Sequence, residues 1–349
     1  LVGAAAATQY TVTGVQLSFA DATITCNNLG GLGPDLACPP YIRYANIGAD
    51  FGINGEFDPP RKLDLIVSNV THYKPNNPIR NGKNADANWV SFQGKFGQIN
   101  LADDETCTFL YRFVSEDTDQ TAAPFSTKFD FFFYDVDYGE AGRLTESVTM
   151  CTRDENGQST IAPMLTTVEQ ACIDRVQPDP CLDTTVLFST FQDPVRGECT
   201  TALATERGYG GDTAEDPEQI LQPVADMDEF EKAAARKYFN ATYPGNATEF
   251  RVTFTLTPSA VPGFSGRNFQ YSALGRSENI SIVEPPQSPP PPSSPPPISF
   301  ACSDISAGGT LVIPKSIDLI PHFAFLGCTS LKEVTFEGGG TSDLIIGEA

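Results

Sequence analysis

Histidine is almost absent from this chain, which has only His72 and His322 among its 349 residues. A Ser-His-Asp triad in the N-terminal part could therefore use only His72. The sequence also lacks a G-x-S-x-G nucleophile elbow, an H-E-x-x-H zinc motif and a phosphate-binding glycine loop. It has no run of about 18 apolar residues, so these residues contain no membrane-spanning helix.

Basic side chains are scarce as well. The chain has 22 Lys and Arg residues against 44 Asp and Glu residues, which gives a formal net charge of -22. The isoelectric point is about 4.3. Such an excess of negative charge repels phosphate backbones and anionic lipid surfaces, so we expect no nucleic-acid partner.

The nine cysteines include no C-x-x-C pair of the kind that binds zinc or performs thiol redox chemistry. Disulfides are the better interpretation, because N-x-S/T sequons at Asn69, Asn240, Asn246 and Asn279 indicate a glycosylating, oxidising secretory route. Nine is an odd number, so at least one thiol stays free or pairs with another chain. The disulfide candidates are Cys26, Cys38, Cys107, Cys151, Cys172, Cys181, Cys199 and Cys302.

The start of the chain, LVGAAAATQY, is typical of the end of a signal peptide, and residues 1–8 are interpreted as its remnant. From 9 to 283, short segments alternate apolar and polar residues between clusters of Gly, Pro, Asn and Asp. One helix is predicted, at 226–239. This pattern predicts a mainly β domain, an antiparallel two-sheet sandwich of jelly-roll type stapled by disulfides. The predicted strands are 9–19, 64–73, 88–101, 106–115, 128–137, 146–152, 184–191, 249–257, 268–274 and 279–283.

A Pro/Ser-rich linker follows at 284–299, with the sequence EPPQSPPPPSSPPPIS. Consecutive prolines favour a solvated polyproline II rod, which would extend roughly 40–45 Å over this stretch. The segment resembles the Ser/Pro-rich, hydroxyproline-bearing parts of plant and green-algal cell-wall glycoproteins. The resemblance implies a stiff spacer in a walled or matrix-coated organism.

Residues 300–349 contain LVIPKSIDLIPHFAFLGCTSLKEVTF, at 311–336. This segment resembles one copy of the BspA-like class of leucine-rich repeat. The resemblance implies a solenoid that begins here and is cut short, because about three repeats are needed for stability. It also implies that Cys328 is a buried free thiol. The residues in register with the repeat are Ile313, Pro314, Ile317, Ile320, Ala324, Phe325, Cys328, Leu331, Val334 and Phe336.

The segment FDFFFYDVDYGE, at 129–140, places carboxylates directly after a strand that is apolar on both faces. On a continued strand Asp135 and Asp137 share the core-side face, with Glu140 beyond them at a Gly turn. Oxygen ligands of this kind suit calcium, so Asp135, Asp137 and Glu140 form a candidate calcium site. An ordinary hairpin with a solvated acidic turn and Arg143 as partner is the alternative, and a catalytic carboxylate pair is another.

The only tryptophan, Trp89, lies beside Asn84 and Asp86 in NGKNADANW. Sugar rings stack on exposed aromatic side chains, so these three residues are a candidate glycan contact. The alternative is that Trp89 is the first core residue of its strand.

These observations favour a secreted or cell-surface glycoprotein with a role in adhesion, recognition or the cell wall. The sandwich would bind calcium or glycan, and the repeats would bind a matrix or protein partner. A secreted glycoside hydrolase or lyase with a repeat appendage is the alternative, because such an enzyme needs only two carboxylates.

Overall fold

The computed structural model describes residues 12–84, 94–168, 181–209, 213–214, 216–218, 220, 222–261, 263–275, 306–313 and 329–337. The chain divides into two compact units, Leu1–Val283 and Glu284–Ala349. The predicted signal remnant and proline linker both lie outside the described residues.

The first unit is built from two antiparallel sheets. In chain order the strands are β1 Val15–Leu17, β2 Thr23–Asn27, β3 Ile42–Asp50, β4 Arg61–Asn69, β5 Gly82–Lys83, β6 Gly97–Ala102, β7 Glu105–Ser115, β8 Phe129–Tyr134, β9 Glu146–Cys151, β10 Met164–Thr167, β11 Val186–Asp193, β12 Gly197–Ala204, β13 Phe239–Tyr243, β14 Glu249–Leu256 and β15 Gly266–Gly275. The larger sheet is nine-stranded, in the order β1-β3-β4-β7-β14-β9-β12-β11, with β2 also paired to β3. The smaller sheet is six-stranded, in the order β10-β13-β8-β15-β6-β5.

An aromatic core fills the space between the two sheets. Phe131 of β8 lies at its centre and packs edge-on against Tyr111 of β7 and Phe250 of β14, with ring centroids 5.3 Å and 5.0 Å away. Aromatic rings gain from such edge-to-face contacts beyond the area that they bury. The core therefore joins strands from both sheets, as the sandwich prediction requires.

A second apolar layer covers the outer face of the smaller sheet. Phe132 and Tyr134 of β8 point away from the first core and pack with Val224, Met227 and Tyr238. The same segment contains the helix α1, Glu229–Ala235, which begins with a capping box between Asp228 and Glu231. This layer explains why β8 is apolar on both faces.

The larger sheet presents threonines on its outer face. Cross-strand hydroxyl pairs join Thr149 to Thr201 at 2.7 Å, Thr108 to Thr253 at 2.9 Å and Thr106 to Thr255 at 3.1 Å. Such pairs contribute to strand pairing. Towards the edge strand β11 this face becomes exposed and includes Leu187 and Leu203.

Two of the candidate cysteines are joined in a disulfide, Cys151 of β9 and Cys199 of β12, which face each other across neighbouring strands. Cys181 is also disulfide-bonded. Cys26, Cys38 and Cys107 differ from the prediction, since all three are free thiols. Cys107 points into the core, and burial raises its pKa to about 12, so it is an unreactive thiol. The candidates Cys172 and Cys302 lie outside the described residues.

The described part of the second unit contains two short strands, β16 Thr310–Ile313 and β17 Glu333–Phe336. They pair in parallel, with Thr310 opposite Glu333. The leucine-rich repeat stays a prediction, because most of its motif lies outside the described residues.

The mainly β, antiparallel class of the first unit is confirmed. Its two sheets have nine and six strands, which is more than the eight strands that a jelly roll has in total. The helix predicted at 226–239 is shorter than expected. It begins at Glu229 after the Asp228 cap and ends at Ala235, and Phe239 already begins β13, which pairs with β8.

We expect Phe131→Ala to lower the free energy of unfolding by about 3–5 kcal/mol, because it removes a fully buried ring and leaves a cavity. Urea unfolding of the full chain, followed by tryptophan fluorescence and circular dichroism, measures this loss. The matched control is Phe230→Ala on α1, whose ring is exposed, and it should change stability by no more than about 0.5 kcal/mol. Equal losses in the two variants would contradict the central place given to Phe131.

Candidate functional site

The acidic segment after β8 turns away from the strand path that the sequence predicts. Asp135 has a φ of 58°, in the left-handed region, and the strand ends one residue earlier at Tyr134. This turn reverses the alternation of side chains, so Val136 joins the aromatic core. Asp135 and Asp137 therefore do not share the core-side face of a continued strand.

Asp137 is an internal residue with two cationic partners. Its side chain is 2% exposed, and its carboxylate oxygens lie 3.0 Å from Nζ of Lys237 and 3.0 Å from a guanidinium nitrogen of Arg267. A buried carboxylate needs such partners, because desolvation without compensation would cost several kcal/mol. Asp137 therefore acts as a structural anchor in this arrangement.

The ion pairs connect several parts of the fold. Lys237 precedes β13, Arg267 is the second residue of β15, and Gly208 lies in the connection after β12. The backbone N–H of Gly208 donates to the carbonyl of Tyr138 at 2.9 Å. A Cβ on Gly208 would lie 1.9 Å from a carboxylate oxygen of Asp137, so only glycine lets the chain pass this close.

Glu146, rather than the predicted Glu140, completes the carboxylate cluster, which consists of Asp135, Asp137 and Glu146. Glu140 is exposed in a 3-10 turn at Glu140–Gly142. Glu146 begins β9, is buried, and has a side-chain oxygen without a hydrogen-bond partner among the described residues. Burial, followed by the charges of Asp137 and Asp135, raises the pKa of Glu146 well above its usual value.

The charges of the cluster limit its chemistry. Lys237 and Arg267 already compensate Asp137, and a hydroxyl of Thr213 donates to Asp135 at 3.1 Å. Within the described ranges, no group of three or more His, Cys, Asp or Glu side chains has an arrangement that could hold a metal ion. Calcium binding by Asp135, Asp137 and Glu140 stays a prediction.

The candidate glycan loop is only partly described, since Asp86 and Trp89 lie outside the described residues. Asn84 is present at its base. The Asn84 side-chain oxygen accepts a hydrogen bond from the backbone N–H of Phe96 at 3.0 Å. The backbone carbonyl of Asn84 accepts one from the backbone N–H of Gly94 at 2.9 Å. Asn84 therefore closes the base of the loop, and a role in glycan contact stays a prediction.

Asp103 is a buried carboxylate with a structural role that sequence analysis did not find. It accepts hydrogen bonds from the backbone N–H groups of Ser259, Gly263 and Ser265 and from the Ser259 hydroxyl. Burial opposes ionisation of Asp103, but these donors outweigh it and lower its pKa. Its sequence context, ADDETC, looks like any solvated turn, and the donors are about 160 residues away in sequence.

The predicted glycosylation sites differ in accessibility. Asn246 is exposed, in the turn between β13 and β14, and Asn69 is half-buried. Asn240 is buried on β13, and its amide nitrogen donates to a carboxylate oxygen of Asp130 at 3.1 Å. A glycan at Asn240 would displace this bond and the sheet neighbours. Asn279 lies outside the described residues.

The helix that the structure describes is seven residues long. No helix in the described part of the chain combines the length and the apolar character of a membrane span.

Comparison with known proteins found no matching protein-family model and no matching curated protein. Among solved structures, the chain is similar to the N-terminal domain of the Streptococcus gordonii adhesin Sgo0707, with 9% identity and a TM-score of 0.35. This match covers 77% of the chain and 61% of that domain. It is also similar to the adhesin domain of PrgB from Enterococcus faecalis bound to DNA, with 11% identity, a TM-score of 0.32 and 66% of each chain covered.

The chain thus spans less than two thirds of the length of both adhesin structures.

We expect Glu146→Gln to remove part of the pH dependence of stability. Because the folded protein raises the pKa of Glu146 above the usual value of 4.5, Glu146 favours folding below pH 4.5. That contribution is lost as the pH rises towards the folded-state pKa, by up to about 1.4 kcal/mol per pH unit. Urea unfolding of both proteins between pH 4.5 and pH 8 measures it.

The difference in stability between the wild type and Glu146→Gln should shift in favour of the variant as the pH rises. Glu140→Gln is the matched control, because Glu140 is exposed, and it should track the wild type. A constant difference across this range would contradict a buried, ionisable Glu146.

The same samples test calcium binding. A melting temperature that calcium chloride raises and EDTA lowers would support the calcium prediction.

We expect Asn246, and not Asn240, to carry a glycan when the full chain is expressed through a eukaryotic secretory pathway. Glycopeptide mass spectrometry measures the occupancy of each sequon. The control variant Thr248→Ala destroys the Asn246 sequon and should remove that glycan alone. Occupied Asn240 together with bare Asn246 would contradict the burial seen here.

Proposed function

We propose that this chain is a secreted or cell-surface glycoprotein with a non-enzymatic role in adhesion, recognition or a cell wall or matrix. The β-sandwich is its binding module. In this proposal the proline-rich segment 284–299 is a stiff spacer, and the C-terminal unit begins a leucine-rich solenoid that binds protein. The parallel pairing of β16 with β17 supports the solenoid.

The observation that carries the proposal is the difference between the two outer faces of the sandwich. The face of the smaller sheet is covered by an apolar layer that includes α1. The outer face of the larger sheet carries paired threonine hydroxyls, which are buried at Thr108, Thr149 and Thr253, half-buried at Thr201 and Thr255, and exposed at Thr106. A broad, hydroxyl-bearing sheet face offers hydrogen-bond donors and acceptors to a polar partner such as a glycan.

The location of the carboxylates supports a binding role over the carbohydrase alternative. Hydrolysis of a glycosidic bond needs two carboxyl groups that reach the sugar from opposite sides. Asp137 is buried, and both of its oxygens are paired with cations. This arrangement favours an anchoring role for Asp137, which is one of the carboxylates that a catalytic pair would use.

Two further features support an extracellular site of action. Cys151 and Cys199 form a disulfide, and disulfides form and persist in oxidising compartments. The sequon at Asn246 is exposed and lies in a turn, where a glycan can be attached.

A paired assay of the purified full chain tests the proposal. Immobilised glycans and matrix polysaccharides are screened for binding by biolayer interferometry, and the same polysaccharides in solution are screened for the release of reducing ends. We expect saturable binding to at least one class of glycan or matrix polymer without any release. Thr201→Lys, at the half-buried β12 end of the row of paired threonines, should weaken binding by about tenfold or more, because it blocks that part of the face.

The matched control is Ile53→Lys, which places the same charge at a position that is 59% exposed in the turn after β3, and it should bind like the wild type. Release of reducing ends that Asp135→Asn abolishes would establish the carbohydrase alternative. Binding unaffected by Thr201→Lys would overturn the assignment of this face.

A further inference from the structure

The last strand of the larger sheet, β11, has a free edge. It pairs along its whole length with β12, from Val186 opposite Ala204 to Asp193 opposite Gly197. No strand in the described part of the chain pairs with its other edge. Apart from the N–H of Val186, which donates to the Thr184 hydroxyl at 3.1 Å, an open edge of eight residues presents backbone groups without a strand partner, which is a template for strand addition.

This edge lacks the features that normally prevent strand addition. Residues 184–192, TTVLFSTFQ, contain no charged residue and no proline. On the outer face Leu187 is 56% exposed and Phe191 is 43% exposed. Natural sheets protect long edges with charges, prolines or bulges, and exposed apolar edges of this kind mark association sites.

Charge restricts where two copies of the chain can meet. With a net charge of -22, most approaches bring like charges together and are repelled. The uncharged edge is an exception. The flanking Asp193 accepts hydrogen bonds from the backbone N–H groups of Val195 and Arg196 and pairs with the Arg196 guanidinium at 3.5 Å, so its charge is locally compensated.

The sequence of β11 is complementary to itself when two copies run antiparallel. Side chains opposite each other in such a pair point to the same face of the sheet. With Ser189 opposite Ser189 on a two-fold axis, Leu187 of each copy lies opposite Phe191 of the other. A shift by two residues places Leu187 opposite Asp193 or opposite Ser189 instead, which loses the apolar pairs.

We infer that β11 pairs antiparallel with β11 of a second copy about this two-fold axis and joins the two larger sheets into one continuous sheet. This inference rests on the proposed adhesion function and names a second copy of this chain as one partner in it. The contact is isologous, so it closes as a dimer.

Light scattering after size exclusion, and sedimentation velocity over a range of concentrations, test the pairing with the full chain and no glycan present. We expect a dimer that salt strengthens, because salt screens the repulsion between the two acidic chains. Leu187→Lys and Phe191→Lys should each weaken the dimer by more than about tenfold, since the two-fold axis repeats every change.

The matched control is Ile53→Lys, which places the same charge at a position that is 59% exposed and far from β11 in sequence, and should leave the dimer unchanged. The register is tested with Ser189→Cys and a short bismaleimide linker. We expect a covalent dimer for this variant, and none for Thr255→Cys or for the wild type with its own thiols.

A wild type that stays monomeric at all concentrations and salt levels would overturn the inference. So would a dimer that neither lysine variant weakens, which would locate the contact elsewhere, or a Ser189→Cys dimer that the linker cannot join covalently. Failure of the proposed function is distinguished from these outcomes, because it appears as missing glycan or matrix binding in a chain that still dimerises.

Discussion

Burial of β8 on both of its faces is the constraint on which the rest of the first unit depends. One face, with Phe131 at its centre, requires a second sheet opposite it. The other face, with Phe132 and Tyr134, requires the covering layer that contains α1. That layer covers the smaller sheet, whereas the outer face of the larger sheet carries the row of threonine pairs, which is buried at Thr149 and Thr253 and exposed at Thr106, so the two outer faces of the sandwich differ.

The acidity of the chain is handled differently inside and outside. Buried carboxylates have specific partners: Asp64 pairs with Arg43 at 2.7 Å, Asp103 accepts backbone hydrogen bonds, and Asp137 has Lys237 and Arg267. Glu146 is the contrast, since burial favours its protonated form. An acidic protein of this kind therefore depends on a few well-placed cations in its interior, while its many surface carboxylates serve solubility.

Much of the fold could be predicted from alternation alone. Strands such as β7, β9 and β14 appear in the sequence as regular apolar and polar positions and lie within one or two residues of their predicted bounds. Six strands were missed: β2, β3, β5, β10, β12 and β13. The runs of β3, β12 and β13 contain Gly, Ala or Asn, and their strand character comes from the neighbours with which they pair. The site was predicted less well. The positive φ of Asp135 occurs at one residue, and the alternation of apolar and polar residues does not indicate it. Beyond this turn, Glu146 and not Glu140 lies in the carboxylate cluster.

The disulfide between Cys151 and Cys199 has a mechanical consequence. It joins β9 to β12, and β12 in turn holds β11 at the margin of the larger sheet. A load applied to the β11–β12 hairpin would otherwise peel strands away one hydrogen bond at a time, which is the weakest way to pull on a sheet. Because of this covalent bond, β12 stays attached to β9 at Cys199 even where the hydrogen bonds between the two strands break.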